Sequence, residues 1–317
     1  KWGREGPTPE PPREHTPPSA LPRRMSAADL ESGVKPEMVK APPPPKPAAP
    51  KTHNICAPPP EAYGRQVALG EAKGKAGVIN IFLMAIMAGA FIGSGSLLVE
   101  IVGGNMPGVA KTDPGLVAMV AGSFGLPFGL LMVVLTGSEL VTGNFSFMTM
   151  ALMEGRATPL QALKNWGVAY LGNLAGALLY VGIVYGSGLL RNSAAATRIS
   201  SAKVSRTWGE MVARGVLCNW LVCMALWQAN AAGSVIGKAI GVFFPIMAFV
   251  AQGAEHCVAN MFMIPMGMAE GSGVTVGQFL WNNLIPVTIG NFIGGAFGVA
   301  FIFGIRYGRV GKMLKIA

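Results

Sequence analysis

Two carboxylates and one imidazole stand inside stretches of sequence that are otherwise apolar. Glu255 and His256 lie in Gly253–Met263, with apolar Gly241–Ala251 on one side and Cys257–Met268 on the other. Glu139 lies in a matching stretch, Gly137–Phe147. There Gly137, Glu139, Asn144 and Phe147 fall on Gly253, Glu255, Asn260 and Met263. An imidazole exchanges a proton near neutral pH and, when neutral, donates or accepts a hydrogen bond. A carboxylate at a helix break accepts hydrogen bonds from freed N–H groups. Ionisable groups at membrane depth are costly and mark a pathway or relay. Interruptions at matching places in two halves of a chain point to a transport site.

These residues have plainer readings as well. Glu139 and Glu255, with Asn144 and Asn260, are expected to pin the two breaks by hydrogen bonding. His256 has no twin, Leu140 standing in its place; as a buried histidine satisfied by backbone it would do no chemistry. The membrane setting favours function, and the expected chemistry is a neutral His256 that exchanges a proton once an anion is bound. Thr142 offers a hydroxyl in the first loop, where threonine is also a turn former. Leu130, Leu140 and Phe249 fit ordinary packing and hydrophobic constrictions equally well.

The elements that must position these groups are membrane helices. The 317 residues are 51% hydrophobic and only 13% charged, with 43 Gly and 24 Pro, and mean hydropathy is +0.45. Average soluble chains are about 25% charged. The net charge of +10 points to membrane orientation and anionic lipid rather than nucleic acid, since no basic run is interleaved with aromatics. Cys56, Cys218, Cys223 and Cys257 have no metal-ligand spacing. No metal or cofactor is expected.

Residues 1–76 hold most of the prolines and no apolar period, so they are expected to form a disordered, polyproline-like tail. The acid-poor stretch Thr16–Ala27 also suits the remnant of an organelle-targeting region, and a Pro-rich docking segment is an equal alternative. Residues 77–306 form the transmembrane domain, and 307–317 a basic C-terminal tail. Spans are expected at Val78–Val102, Gly115–Leu152, Gly167–Leu190, Trp208–Ala231, Ala239–Met268 and Phe279–Ile305, with the second broken at Gly137–Asn144 and the fifth at Gly253–His256. Gly172, Asn173 and Gly176 echo Gly290, Asn291 and Gly294, and Asn165 echoes Asn283. The order of helix, broken helix and Gly-Asn helix occurs twice, in about 77–190 and 208–306. An odd number of spans per unit makes the repeat inverted. Basic residues favour both termini on the inner side, while Arg191–Arg206 makes a basic cluster outside, read either as a solvated loop or as an anion-gathering vestibule.

The run Gly253–Pro265, together with Gly137–Gly143, Lys164–Trp166, Gly172–Asn173 and Asn283–Asn291, resembles the signature of the formate/nitrite transporter family from about Lys73 to Arg306. The resemblance implies an all-α, aquaporin-like bundle of six spans with two broken helices, assembled as a homopentamer with one pore per protomer. It implies passage of small monovalent weak acids such as formate, nitrite, acetate, lactate and hydrosulfide. His256 becomes the central pore histidine and Thr142 the threonine facing it. Leu130 and Leu140 match one constriction and Phe249 the other. Lys203 resembles a vestibule lysine, with Asn219 its pore-side partner. Ala254 departs from the family, which often has an aromatic residue there, and Gly143–Asn144 is a second departure. The extended tail points to a nitrite carrier of an algal plastid inner envelope, the plasma membrane being the alternative site. Rival readings are a proton-coupled lactate or acetate transporter of the same fold and a neutral-solute channel. The latter lacks its paired Asn-Pro-Ala motifs here. An intramembrane serine protease is disfavoured because Gly93–Ser96 has the wrong order for a nucleophile elbow.

Overall fold

A computed structural model describes residues 56–315. The chain runs through α1 (Pro59–Lys75), α2 (Val78–Gly104), α3 (Pro107–Thr112), α4 (Pro114–Ser123), α5 (Leu126–Thr136), α6 (Val141–Met153) and α7 (Pro159–Ser187). It continues through α8 (Ala194–Val204), α9 (Trp208–Ala231), α10 (Val235–Ala251), α11 (Cys257–Ala269), α12 (Val276–Tyr307) and α13 (Arg309–Met313). Among the described residues five helical stretches are long and apolar enough to cross a membrane: α2, α4 with α5 taken together, α7, α9 and α12. At about 1.5 Å per residue, α2 covers roughly 40 Å, more than a bilayer core.

Capping explains where the long helices begin. Thr158 and Gln161 form a capping box at the start of α7, and Thr207 and Glu210 do the same for α9. Two π-helical stretches, Phe279–Leu284 and Ile293–Phe301, flank Ile285–Phe292 in α12. The close pairs are α2 with α7 and α9 with α12. A Cβ on Gly176 would collide with the carbonyl of Ile86, and one on Gly290 with that of Val212. Glycine is required at both places for the backbones to touch.

The two breaks separate α5 from α6 and α10 from α11. Gly137 and Gly253 take the left-handed conformation there, at φ 70° and 68°, which glycine adopts without steric penalty. The first break is shorter than expected from the sequence. It ends at Leu140, so Thr142 and Asn144 belong to the first turn and a half of α6 and not to a loop. The second spans Gln252–His256. Most of α6 and most of α11 are buried, unlike the long spans.

Residues 59–75 correct the expectation of a structureless tail up to 76; residues 1–55 lie outside the described part. Proline at the first turn, Glu61 near the start and Lys73 and Lys75 in the last turn all favour a helix. Its buried face, with Tyr63, Gln66, Val67 and Gly70, is held by tertiary contacts. Tyr63 donates to Glu154 at 2.9 Å and Gln66 to the Leu226 carbonyl at 3.3 Å. Arg309–Met313 is likewise helical within the expected C-terminal tail, and the basic stretch Arg191–Arg206 contains α8 rather than a loop alone.

Candidate permeation site

The two half-helices α6 and α11 begin facing each other in the middle of the bundle. Their first N–H groups are unpaired within the helix and need acceptors. Asn173 Oδ1 accepts from Val141 N at 3.0 Å, and Asn291 Oδ1 accepts from Cys257 N at 2.8 Å. Asn173 Nδ2 donates to the carbonyls of Ala85 (2.9 Å) and Glu139 (2.8 Å), and Asn291 Nδ2 to those of Gly215 (2.8 Å) and Glu255 (2.9 Å). Each asparagine therefore ties a break to its flanking helices, twice over in the same geometry. The backbone of the breaks is held the same way: Glu139 N donates to the Met84 carbonyl and Glu255 N to that of Arg214, both at 3.2 Å.

The carboxylates act differently from the expectation that they would take the freed N–H groups. Glu139 accepts from Lys73 Nζ at 2.9 Å and Asn144 Nδ2 at 2.6 Å. Glu255 accepts from Lys203 Nζ at 2.8 Å and Asn260 Nδ2 at 2.8 Å. Asn165 and Asn283 extend the sets, receiving from Asn144 and Asn260 at 2.9 and 2.7 Å. An ammonium within reach outcompetes a neutral amide N–H for a carboxylate, and the carboxamides of Asn173 and Asn291 are left for the backbone. All four carboxylate and ammonium side chains are at most 15% exposed.

His256 caps α11. Its Nδ1 accepts from Ala259 N at 3.1 Å, and its Nε2 lies 2.9 Å from Thr142 Oγ1. With Nδ1 occupied as an acceptor, the neutral ring carries its hydrogen on Nε2 and donates it to the threonine hydroxyl. The ring also stacks on Phe249, with centroids 6.1 Å apart. Asn219 is placed otherwise than expected. It does not pair with Lys203; its Nδ2 donates to the carbonyls of Thr142 at 3.0 Å and Asn291 at 2.6 Å. Lys203 is engaged by Glu255, and Asn219 sits where α6 and α12 converge on α9.

Three cavities follow one another past this contact. One of about 110 Å³, beside α1, is lined by Lys73, Ser138, Asn144, Asn230 and Leu140, among others. Leu140 also lines a chamber of about 10 Å³ with Leu126, Leu130, Phe249 and His256. Leu126, Phe249 and His256 in turn line a cavity of about 190 Å³ beside α8, with Lys203, Glu255, Asn260 and Ala254. Leu140 thus separates the chamber from one side, and Leu126 and Phe249 from the other, while Leu130 lies within the chamber wall. A chamber this small holds about one water, and an apolar one stays dry. Leu126, together with Ile92, Val222 and Ile246 of the chamber wall, was not singled out by sequence; such residues look like any other apolar helix position. Thr142 is fully buried behind His256 and does not line the chamber.

Paired half-helices meeting at a histidine, with a dry chamber between two larger cavities that each hold a lysine, in a bundle of apolar helices, define a multi-pass membrane protein built to let a small solute through. The sequence model described as Formate/nitrite transporter matches residues 60–305. The chain belongs to that family, a family of transporters and not of enzymes. It is 41% identical over 258 residues to a "Probable formate transporter" of Methanothermobacter thermautotrophicus, covering 76% of this chain and 93% of that one. It is 36% identical over 254 residues to the "Formate channel FocA" of Escherichia coli strain K12, covering 73% and 87%. Among solved structures it resembles an "FNT family ion channel" at TM-score 0.71 and 26% identity, covering 77% of this chain and 97% of the other. It also resembles a "Pentameric formate channel with formate bound" at TM-score 0.64 and 30% identity, covering 73% and 97%.

Proposed function

We propose that this protein is a channel-like transporter of small monovalent weak-acid anions, nitrite or formate, with one pore per protomer of a homopentamer and with permeation linked to protons. The observation that carries the reading is the Thr142–His256 contact at the meeting of two half-helix starts, with the dry chamber beside it. Helix starts are positive ends that favour anions. Leu140 on one side and Leu126 and Phe249 on the other strip water from whatever passes. A bare anion there faces a desolvation cost of several kcal/mol. Joining a proton to the anion removes most of that cost, and a neutral acid crosses. His256 stays neutral, its Nε2–H donated to Thr142 Oγ1. Placing a second proton on Nδ1 would break the bond from Ala259 N, so the geometry favours a proton that arrives with the anion over one carried by the ring. Lys203 and Lys73, each beside a cavity and each paired with a carboxylate, hold the breaks. The excess of basic residues at one side supports both termini on the inner side of the membrane. Flux of labelled formate, nitrite, acetate and lactate into proteoliposomes tests the substrate class. Formate and nitrite should pass fastest, and passage of neutral solutes alone would overturn the reading.

A further inference from the structure

Glu100 lies one turn before the end of α2, and its residue is 1% exposed. Neither carboxyl oxygen has a hydrogen-bond donor among the described residues. A buried carboxylate without a partner is costly and demands compensation. Lys203 on α8 is the cation whose field reaches it, but the Lys203 ammonium is already held by Glu255 at 2.8 Å. Lys203 therefore pairs with Glu255, and Glu100 is left without a contacting cation among the described residues. Nothing comparable is found beside the first break, where Glu139 faces Lys73 and the residue of the second repeat that matches Glu100 is the amide Asn230, which lines the α1-side cavity.

Glu100 also borders a cavity, although its carboxyl oxygens are buried. It lines a separate cavity of about 480 Å³ with Asn105, Arg191, Asn192 and Ser193, between the end of α2 and the start of α8. Its neighbour Val99 lines the pore-side cavity. The charged groups around it are few. Arg191 lines the same cavity, and Glu270 accepts from Asn192 N, another lining residue, at 2.7 Å. Helices α4, α5 and α11 bring no acid, lysine, arginine or histidine. Lys164 of α7 is at the opposite end, on the carbonyls of Gly74 and Ala76.

We propose that Glu100 binds a unit cation, a proton or an alkali-metal ion, and that this binding neutralises the excess negative charge of the Glu100–Lys203–Glu255 group at one mouth of the pore. The inference rests on the anion-transport reading above. With the site empty, the excess charge repels an incoming anion; with it filled, the mouth is neutral. The last carbonyls of α2 point the same way, since a helix end favours a cation.

The test compares anion uptake by wild-type and Glu100→Gln proteoliposomes, the glutamine mimicking a neutralised carboxyl. The ratio of variant to wild-type uptake cancels any effect of pH on the acid itself. It should rise roughly tenfold when outside pH is raised or when sodium is replaced by a bulky organic cation, the charged-mouth effect being of that order. A response to pH alone assigns the proton, and a response to sodium alone the metal ion. A ratio constant under both changes overturns the proposal while leaving transport itself intact. Infrared difference spectra after a pH or sodium jump test binding without transport. A carboxyl band present in the wild type and missing in Glu100→Gln is expected, and its presence in both overturns the proposal. Glu100→Met serves in the same assays if the glutamine variant does not assemble.

Discussion

Thr142 Oγ1 and His256 Nε2 are 2.9 Å apart although 114 positions separate them in the chain. The contact joins the first turn of α6 to the cap of α11, so each repeat contributes one half of the polar centre. The direction of the hydrogen bond follows from the other side of the ring, where Ala259 N occupies Nδ1.

Thr142→Val keeps the shape and removes the hydroxyl. The imidazole N–H is then buried without an acceptor, a loss of about 1–3 kcal/mol. Flux should fall roughly tenfold or more, since that range corresponds to such a factor, and Thr142→Ser should restore most of it. Flux assays on both variants, with thermal unfolding as a control for stability, check this. Unchanged flux in the valine variant would leave Thr142 a packing residue.

Lys203→Ala strands Glu255 in a site where that side chain is 7% exposed. Breaking a buried pair in this way costs about 3–5 kcal/mol. The variant should therefore unfold at lower temperature and slow uptake at every ionic strength, because a buried pair is little screened by salt. A steering role alone would slow uptake only at low salt. Thermal unfolding and flux across a salt series separate the two. Lys73→Ala should behave alike, as its carboxylate partner is held in the same way.

The attachment of α1 should weaken in acid. Hydrogen bonds from Lys75 and then from Arg156 hold the Glu71 carboxyl below the usual carboxylate range. A depressed value means that the stabilisation is present above the ordinary carboxylate range and is lost as pH falls through the folded value. Amide exchange in residues 59–75 should quicken as pH drops through that window, after correction for intrinsic rates, and Glu71→Gln should remove the pH dependence. An unaltered dependence in the variant would assign it elsewhere.

Much of this arrangement is legible in the sequence because its devices occur twice. Gly137 and Gly253 mark the breaks, and the Asn144/Asn260, Asn165/Asn283 and Asn173/Asn291 pairs stand at matching places because each break needs the same hydrogen bonds. Partner choice was less legible. A carboxylate beside a break looks like a cap, but Lys73 and Lys203 approach from distant helices and claim it, leaving the N–H groups to Asn173 and Asn291. Helix α1 was hidden behind Pro58–Pro60 and a weakly apolar face, since Tyr63 and Gln66 are buried only by contacts with Glu154 and Leu226 far along the chain. Glu100 was passed over within the first expected span; that no donor among the described residues meets it is a property of the packed bundle.

The central claim is that the anion crosses the dry chamber only together with a proton, with His256 staying neutral. Current and lumenal pH recorded together in liposomes test it most directly, in the wild type and in His256→Asn, whose side-chain oxygen can still cap Ala259 N. The account predicts one proton per anion and no net current in the wild type, and slower transport at the same ratio in the variant. An anion current in the wild type without matching acidification of the lumen would contradict it.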